Sequence, residues 1–120
     1  MALDYGFTEM QEEIQRTTRE IAQKKIRPVR DHYDKSESAF PWEIVEAIRN
    51  ADLYGTYGPE KYGGMGGGIL ESSLVCEELS RVDCGIGLAV LASSLAAGPI
   101  VYFGNEEQRQ KFLTPLLAGK

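Results

Sequence analysis

The stretch from Gly58 to Gly68 is the first candidate for chemistry, because it holds six glycines. Glycine-rich loops can bind phosphate through closely spaced backbone N–H groups, and the known loops of this kind have fixed patterns. No Gly-Lys-Ser/Thr follows this run, no register gives Gly-x-Gly-x-x-Gly, and no convincing strand precedes it. The run therefore indicates a backbone with positive φ angles or close approaches, or else a plain turn, rather than a phosphate site.

Two further groups could support acid–base or nucleophilic chemistry, and neither forms a complete set. Glu77 and Glu78 are adjacent carboxylates, but neighbouring positions of a helix point about 100° apart and do not share a site. Ser93 and Ser94 have no histidine pattern nearby, and the single histidine, His32, has no evident nucleophile to serve. We interpret the two glutamates as surface charge and His32 as a solvated residue.

Composition excludes several classes of function. The chain has 120 residues, enough for one domain, and its net charge of −5 disfavours nucleic acid and anionic lipid as partners. Cys76 and Cys84 have no companions at metal-ligand spacing, and the first residues lack the features of a secretory signal. We therefore expect no metal site, no disulfide framework and a cytoplasmic location.

The longest uncharged stretch runs from Gly85 to Phe103, and its large aliphatic residues fall on all sides of a helical wheel. Such a helix is either a core helix or a membrane span. The core is favoured because Gly98-Pro99 interrupts the pattern, Ser93 and Ser94 dilute it, and the flanks carry no basic asymmetry. We expect a central helix that ends at Gly98 and that the rest of the chain surrounds.

Four other helical segments are predicted around this one. Thr8 and Gln11 form a capping box at the start of the first helix, whose basic outer face is interpreted as solvated, with a phosphate-contacting patch as the alternative. A polar connection follows from Asp31 to Ala39. The predicted helices run from Thr8 to about Arg27, from Pro41 to Gly55, from Ile69 to Arg81, and from Asn105 across Pro115. The sequence thus predicts an all-α bundle of about five segments.

Apolar spacing predicts which side chains face the core. Glu71, Glu77 and Glu78 are expected to face solvent, and Trp42 is expected to anchor its helix. The residues expected inside are Met10, Ile14, Ile21, Ala22, Ile26, Trp42, Val45, Ile48, Leu53, Leu70, Leu74 and Leu79.

Five short motifs, in order along the chain, resemble the N-terminal helical domain of the acyl-CoA dehydrogenase family. The resemblance covers Leu3 to Lys120 and thus the first of the three domains of a full family member, without the middle β domain and the C-terminal helical domain. The motifs are Pro59-Glu60-Lys61-Tyr62-Gly63-Gly64, Glu77-Glu78-Leu79-Ser80-Arg81, Gly98-Pro99-Ile100, Phe103-Gly104-Asn105-Glu106-Glu107-Gln108, and Phe112-Leu113 with Pro115-Leu116 and Ala118-Gly119.

The resemblance implies a part of an FAD-dependent enzyme that oxidises an acyl-CoA thioester to the 2,3-enoyl-CoA. In this family a glutamate removes the α proton, a hydride passes to FAD, and electrons usually pass on to an electron-transferring flavoprotein. The base lies beyond this chain, so the resemblance implies no catalytic residue here and no activity of the chain alone. It implies a wall over the acyl chain and the flavin, without a membrane span.

Matching positions on the central helix imply five acyl-pocket residues: Gly87, Leu88, Leu91, Ser94 and Leu95. Each of them could equally be a core residue. Family members that take glutaryl-CoA carry an arginine near the start of this helix, where Gly87 stands here, so the resemblance argues against that substrate.

Other interpretations remain open at this point. The same domain occurs in acyl-CoA oxidases and some flavin monooxygenases, and a helical interaction module without enzymatic activity is a further alternative. The surfaces around Met65 and the central helix, which meet other domains in the family, should be exposed in this chain. We therefore predict that the chain forms homo-oligomers.

Overall fold

The computed structural model describes residues 5–36 and 41–120, and within them every regular element is helical. This confirms the predicted all-α architecture. The α-helices are α1 (Glu9–Ile21), α2 (Arg30–Lys35), α3 (Trp42–Asn50), α4 (Ile69–Ser80), α5 (Cys84–Phe103), α6 (Glu106–Gln108) and α7 (Thr114–Leu117). Two 3₁₀ turns lie at Leu53–Thr56 and Glu60–Tyr62, and two π-helical turns at Ala22–Ile26 and Arg109–Leu113.

The predicted helix starts are confirmed by their caps. Thr8 and Gln11 form the reciprocal capping box of α1, and the Asp83 carboxylate accepts a hydrogen bond from the backbone N–H of Ile86 at 3.0 Å. At α6, Asn105 Oδ1 accepts from the N–H of Gln108 at 2.9 Å, and Gln108 Oε1 accepts from the N–H of Asn105. These side chains satisfy N–H groups that the first helical turn leaves without partners.

Pro99 alters its helix less than expected, whereas the first helical segment ends with Arg27 as its C-cap, just before Pro28, as expected. The prediction that α5 ends at Gly98 is wrong, because the helix continues through Pro99 to Phe103. Proline removes one N–H donor, and helical bonding resumes after it, as the Gly104 N–H bond to the Ile100 carbonyl shows. A π-helical turn lies just before Pro28, and another leads up to Pro115.

The region between α1 and α4 also differs from expectation. Residues 30–35 form the short helix α2, whereas residues 37–40 of the predicted connection lie outside the described part of the chain. Pro41 is the N-cap of α3 rather than its first helical residue, and α3 ends at Asn50, well before Gly55. Asp52 adopts a left-handed conformation with φ of 56°, which separates α3 from the 3₁₀ turn that follows.

The main core lies between α1, α3 and α4. The prediction of a core position is wrong for Met10, Leu70 and Trp42. All three side chains are exposed, that of Trp42 to 64%. In α3 the buried positions are Ile44 and Ile48, four residues apart on one face, so the stripe is rotated away from Trp42. The buried side chains of this core include Ile14, Ala22, Ile26, Ile44, Ile48, Leu53, Leu74, Val75 and Leu79.

Two of the three glutamates assigned to the surface of α4 are buried, so that prediction is wrong for them. Glu78 is 3% exposed and forms two hydrogen bonds with Arg19 of α1, at 2.9 and 2.6 Å. Glu71 is 8% exposed and accepts from the Gln11 amide and from the N–H of Gly68, both at 2.7 Å. Burial of the two carboxylates is tolerated because each of them accepts hydrogen bonds from neighbouring groups.

The molecule is a slab of about 43 × 41 × 19 Å. A helix with its side chains is about 10 Å across, so the thickness corresponds to two layers of helices. As a result α5 is not surrounded, and its buried residues are Gly87, Val90 and Ala97. The expectation that the rest of the chain surrounds this helix is wrong for the part of the chain that is described.

Candidate functional site

A groove lies where α4, α5 and the segment after the first 3₁₀ turn meet, and we call it the α5 groove. Its volume is about 250 Å³ and its walls are mainly apolar. The Ser72 hydroxyl donates to the Ser94 hydroxyl across it at 3.0 Å, which joins the two helices. The lining consists of Tyr57, Ile69, Ser72, Ser73, Leu91, Ser94, Leu95 and Gly98.

The structure brings together three of the five residues that the sequence singled out. Leu91, Ser94 and Leu95 line the α5 groove, as their spacing on one helix face predicts. Leu88 lies on the same helix but outside this lining, and it is 59% exposed. Gly87 is buried against α4, where a Cβ atom would come within 2.0 Å of the Ser80 hydroxyl. For all five residues a role in an acyl pocket stays a prediction.

Sequence reasoning missed the other side of the groove. Tyr57 lies in an irregular segment, so no periodicity pointed to it. Ile69 begins a helix whose apolar stripe was assigned to Leu70, Leu74 and Leu79. In α4 the only signal is the pair of adjacent small polar residues, Ser72 and Ser73.

A second groove adjoins the first at Tyr57, and we call it the glycine-loop groove. Its volume is about 270 Å³. Apart from Tyr57, it is lined by Gly58, Pro59, Gly66, Gly67, Gly68, Val101 and Tyr102. The two grooves follow each other along α5, because the α5 groove uses positions 91 to 98 and this groove uses positions 101 and 102.

The glycines of this segment have the predicted reasons for being glycine. Gly63 and Gly66 have φ angles of 89° and 74°, which residues other than glycine rarely adopt. A Cβ atom at Gly64 would lie 2.2 Å from the Gly58 carbonyl oxygen, and one at Gly67 would lie 2.5 Å from that of Thr56. The run is thus a tightly folded backbone, and a plain turn does not describe it.

Charged residues hold the glycine segment to α6. Glu106 accepts from the Tyr62 hydroxyl at 2.8 Å and pairs with Lys61 at 2.9 Å. The hydrogen bond from Lys61, together with those from Tyr62 and Gln110, lowers the pKa of Glu106 to about 2. At the boundary of the grooves, the neighbouring Tyr102 hydroxyl and then burial raise the pKa of Tyr57.

The basic face of α1 forms ion pairs within the chain. Arg16 pairs with Glu13, Lys24 with Glu20 and Arg19 with Glu78. These pairs support the solvated interpretation over a phosphate-contacting patch. His32 is exposed, as expected, and no cluster suited to a metal ion occurs in residues 5–36 and 41–120.

The outward surface of α5 is strongly apolar. Leu88, Leu95, Tyr102 and Phe103 are all exposed, Phe103 to 88%. By length and composition α5 is able to cross a membrane, a property it shares with the core helices of many proteins that do not. A surface of this kind marks a site of contact with something outside the chain.

Comparison with known proteins shows that the chain is similar to members of one protein family. The family described as "Acyl-CoA dehydrogenase, N-terminal domain" matches residues 8–120. The chain is 35% identical to a short-chain specific acyl-CoA dehydrogenase of Megasphaera elsdenii, over 98% of this chain and 31% of the relative. It is 37% identical to a probable medium-chain specific acyl-CoA dehydrogenase of Caenorhabditis briggsae, over 97% of this chain and 28% of the relative.

Solved structures agree in fold. Butyryl-CoA dehydrogenase from Megasphaera elsdenii matches with a TM-score of 0.84 and 33% identity, over 98% of this chain and 31% of that one. A chain in a structure described as electron transferring flavoprotein of Acidaminococcus fermentans matches with a TM-score of 0.90 and 37% identity, with the same coverage. The chain thus spans about a third of the length of the curated relatives it matches.

Proposed function

This chain belongs to the acyl-CoA dehydrogenase family, of which it is an N-terminal domain, and we propose that it forms the wall over the acyl chain in an enzyme that dehydrogenates acyl-CoA thioesters. The observation that carries the proposal is the α5 groove, with Leu91, Ser94 and Leu95 on one wall. An acyl tail is apolar, and burial of each methylene contributes about 0.8 kcal/mol, so an apolar groove favours such a ligand.

The contribution of this chain is to bind and to exclude water. Leu91 and Leu95 provide apolar contact along one side of the tail, and Ile69 provides it from α4. The proton-abstracting base belongs to residues outside this chain, and we expect the chain to be inactive alone. Access of water to the reacting carbons falls when apolar surfaces close around them.

FAD is the cofactor proposed for the whole enzyme, where it accepts the hydride equivalent. The glycine-loop groove is lined by glycines, Tyr57 and Tyr102, and these lining residues include no charged side chain. Such a surface can pack against a flat uncharged ring. The chain would therefore cover the flavin.

The exposed surface of α5 is proposed to contact the other domains of the same enzyme. Its composition suits protein as well as lipid, but the match to family structures extends over 98% of the chain and so includes this helix. We accordingly propose a cytoplasmic enzyme without a membrane span. A homo-oligomer, acyl-CoA as substrate and an electron-transferring flavoprotein as electron acceptor complete the proposal.

The decisive experiment uses the protein encoded by the complete reading frame. We expect a yellow protein that reduces an electron-acceptor dye when butyryl-CoA or octanoyl-CoA is added. Leu95→Gln should raise KM for the acyl-CoA about tenfold, because it places an amide against the tail. Leu70→Gln is the matched control, since Leu70 is exposed on α4 and does not line the groove.

Two outcomes would replace the proposal. Rapid oxygen consumption with acyl-CoA and no dye reduction would indicate an oxidase or a monooxygenase on the same scaffold. Absence of flavin from the complete protein would indicate an interaction module without enzymatic activity.

A further inference from the structure

Tyr57 lies at the boundary between the α5 groove and the glycine-loop groove and lines both of them. It belongs to the segment after the first 3₁₀ turn, and its ring reaches across to α5. A Cβ atom built at Gly98 would lie 3.7 Å from the Tyr57 hydroxyl and 4.0 Å from its Cε1 atom. The end of the ring therefore lies beside α5 at Gly98, at a distance where an added methyl group would be in ordinary van der Waals contact with it.

The position of this contact along α5 separates the two grooves. Leu91 and Leu95 lie before it and line the α5 groove, whereas Val101 and Tyr102 lie after it and line the glycine-loop groove. At this level of the helix, Gly98 places no side chain between the tyrosine and α5. The Tyr102 hydroxyl, one turn further along α5, raises the pKa of Tyr57, so the two hydroxyl groups are neighbours.

We propose that Tyr57 is a specificity-determining residue: its ring closes the α5 groove at Gly98 and limits the length of the acyl tail that this groove accepts. The inference rests on the proposed function, because it takes the acyl tail as the occupant of the groove. The two grooves have volumes of about 250 and 270 Å³, and removal of the ring that lines both would open the first towards the second. The enlarged groove would accept longer straight-chain acyl groups.

The variants Tyr57→Leu and Tyr57→Phe separate the ring from the hydroxyl. Leucine removes the ring but keeps an apolar side chain, so the fold is retained while the boundary opens. Phenylalanine keeps the ring and loses only the hydroxyl contact with Tyr102. If the ring is the barrier, Tyr57→Phe keeps the chain-length preference of the parent protein and Tyr57→Leu does not.

The experiment measures kcat/KM for acyl-CoA substrates of 4 to 12 carbons with the complete flavoprotein and both variants. For Tyr57→Leu we expect kcat/KM to rise by about fourfold for each added methylene that enters the second groove, relative to the butyryl thioester. Saturated alkyl-CoA thioethers of the same lengths cannot be dehydrogenated, since they lack the carbonyl group. Their dissociation constants, measured by calorimetry, should shift in parallel.

The outcomes separate this inference from the proposed function. No turnover of any acyl-CoA by the parent protein would contradict the proposed function itself. Turnover by the parent with the same chain-length profile in Tyr57→Leu, in both kcat/KM and thioether binding, would overturn the role of Tyr57 alone. An equal shift in Tyr57→Phe would also overturn it, because the hydroxyl and not the ring would then set the limit.

Discussion

The interface between α1 and α4 and the outward surface of α5 reverse the usual distribution of polar and apolar side chains. The interface buries two carboxylates, Glu71 and Glu78, whereas the surface of α5 exposes Leu88, Leu95 and Phe103. The carboxylates are stable inside because Gln11, Arg19 and the Gly68 N–H hydrogen-bond to them. No such compensation exists for exposed apolar side chains in water.

The two surfaces differ in how far the chain itself provides contacts for their side chains. The α1–α4 interface has its partners within the chain and should behave as a folded core does. The outward surface of α5 is exposed and should add little to the stability of this chain. Mutations should therefore affect stability at the first surface and association at the second.

The largest loss of stability is expected where α5 crosses α4. Gly87→Ala adds a methyl group whose position is 2.0 Å from the Ser80 hydroxyl and 3.1 Å from the Ser80 backbone nitrogen. Because the hydroxyl can rotate but the backbone cannot, we expect a loss of about 2 kcal/mol in the free energy of unfolding, measured with urea. Gly98→Ala on the same helix is the control, with a gain of up to about 1 kcal/mol expected.

Glu78→Gln tests the buried carboxylate of the α1–α4 interface. The amide can keep one hydrogen bond to Arg19 but loses the charge, so we expect a loss of about 1.5 kcal/mol in the free energy of unfolding. Glu77→Gln is a matched control, because Glu77 is the adjacent residue and is exposed. Equal effects at the two positions would show that burial of Glu78 does not matter.

The same carboxylates predict a dependence of stability on pH. The hydrogen bond from Arg19 lowers the pKa of Glu78, and that from Gln11 lowers the pKa of Glu71. A lowered pKa in the folded state stabilises the protein above the unfolded value of about 4.3, and this contribution is lost as the pH falls through the folded pKa. Urea unfolding at pH 7, 5, 4 and 3 should show stability falling below about pH 4.5, less steeply in Glu78→Gln.

The smallest effect on stability is expected on the outward surface of α5. Leu88→Gln combined with Phe103→Ser should change the free energy of unfolding by less than about 0.5 kcal/mol. The same substitutions should reduce self-association of the chain, which we expect to form dimers or larger species in analytical ultracentrifugation. A parent chain that is monomeric at all concentrations would contradict the predicted association.

Local signals in the sequence predicted the beginnings of helices best. Thr8, Asp83 and Asn105 cap their helices as expected, since a cap depends on residues three positions apart. Helix ends were harder, because α5 runs through Gly98-Pro99 when a proline costs only one hydrogen bond near the end of a long helix. The burial of Glu71 and Glu78 depends on Gln11 and Arg19, about sixty residues away, which no local pattern reveals.

Only one of the two sides of the candidate site could be predicted from the sequence. The α5 side of the groove, formed by Leu91, Ser94 and Leu95, follows from helical spacing and from matching positions in the family. The opposite side comes from Tyr57 and α4, and it depends on how two segments meet in space. The exposure of α5 reverses the prediction of a surrounded helix, because residues 5–36 and 41–120, arranged in two helix layers, leave it uncovered.

A slab 19 Å thick also determines what happens to this chain before its apolar surface is covered. A structure of two helix layers has no interior in which the 20 residues of α5 could be buried while the chain is synthesised. Chaperones and quality-control proteases recognise exposed apolar segments, so α5 is a recognition element for both until other protein covers it. We therefore expect the cellular lifetime of the chain to depend on whether α5 is covered as well as on the stability of its own core.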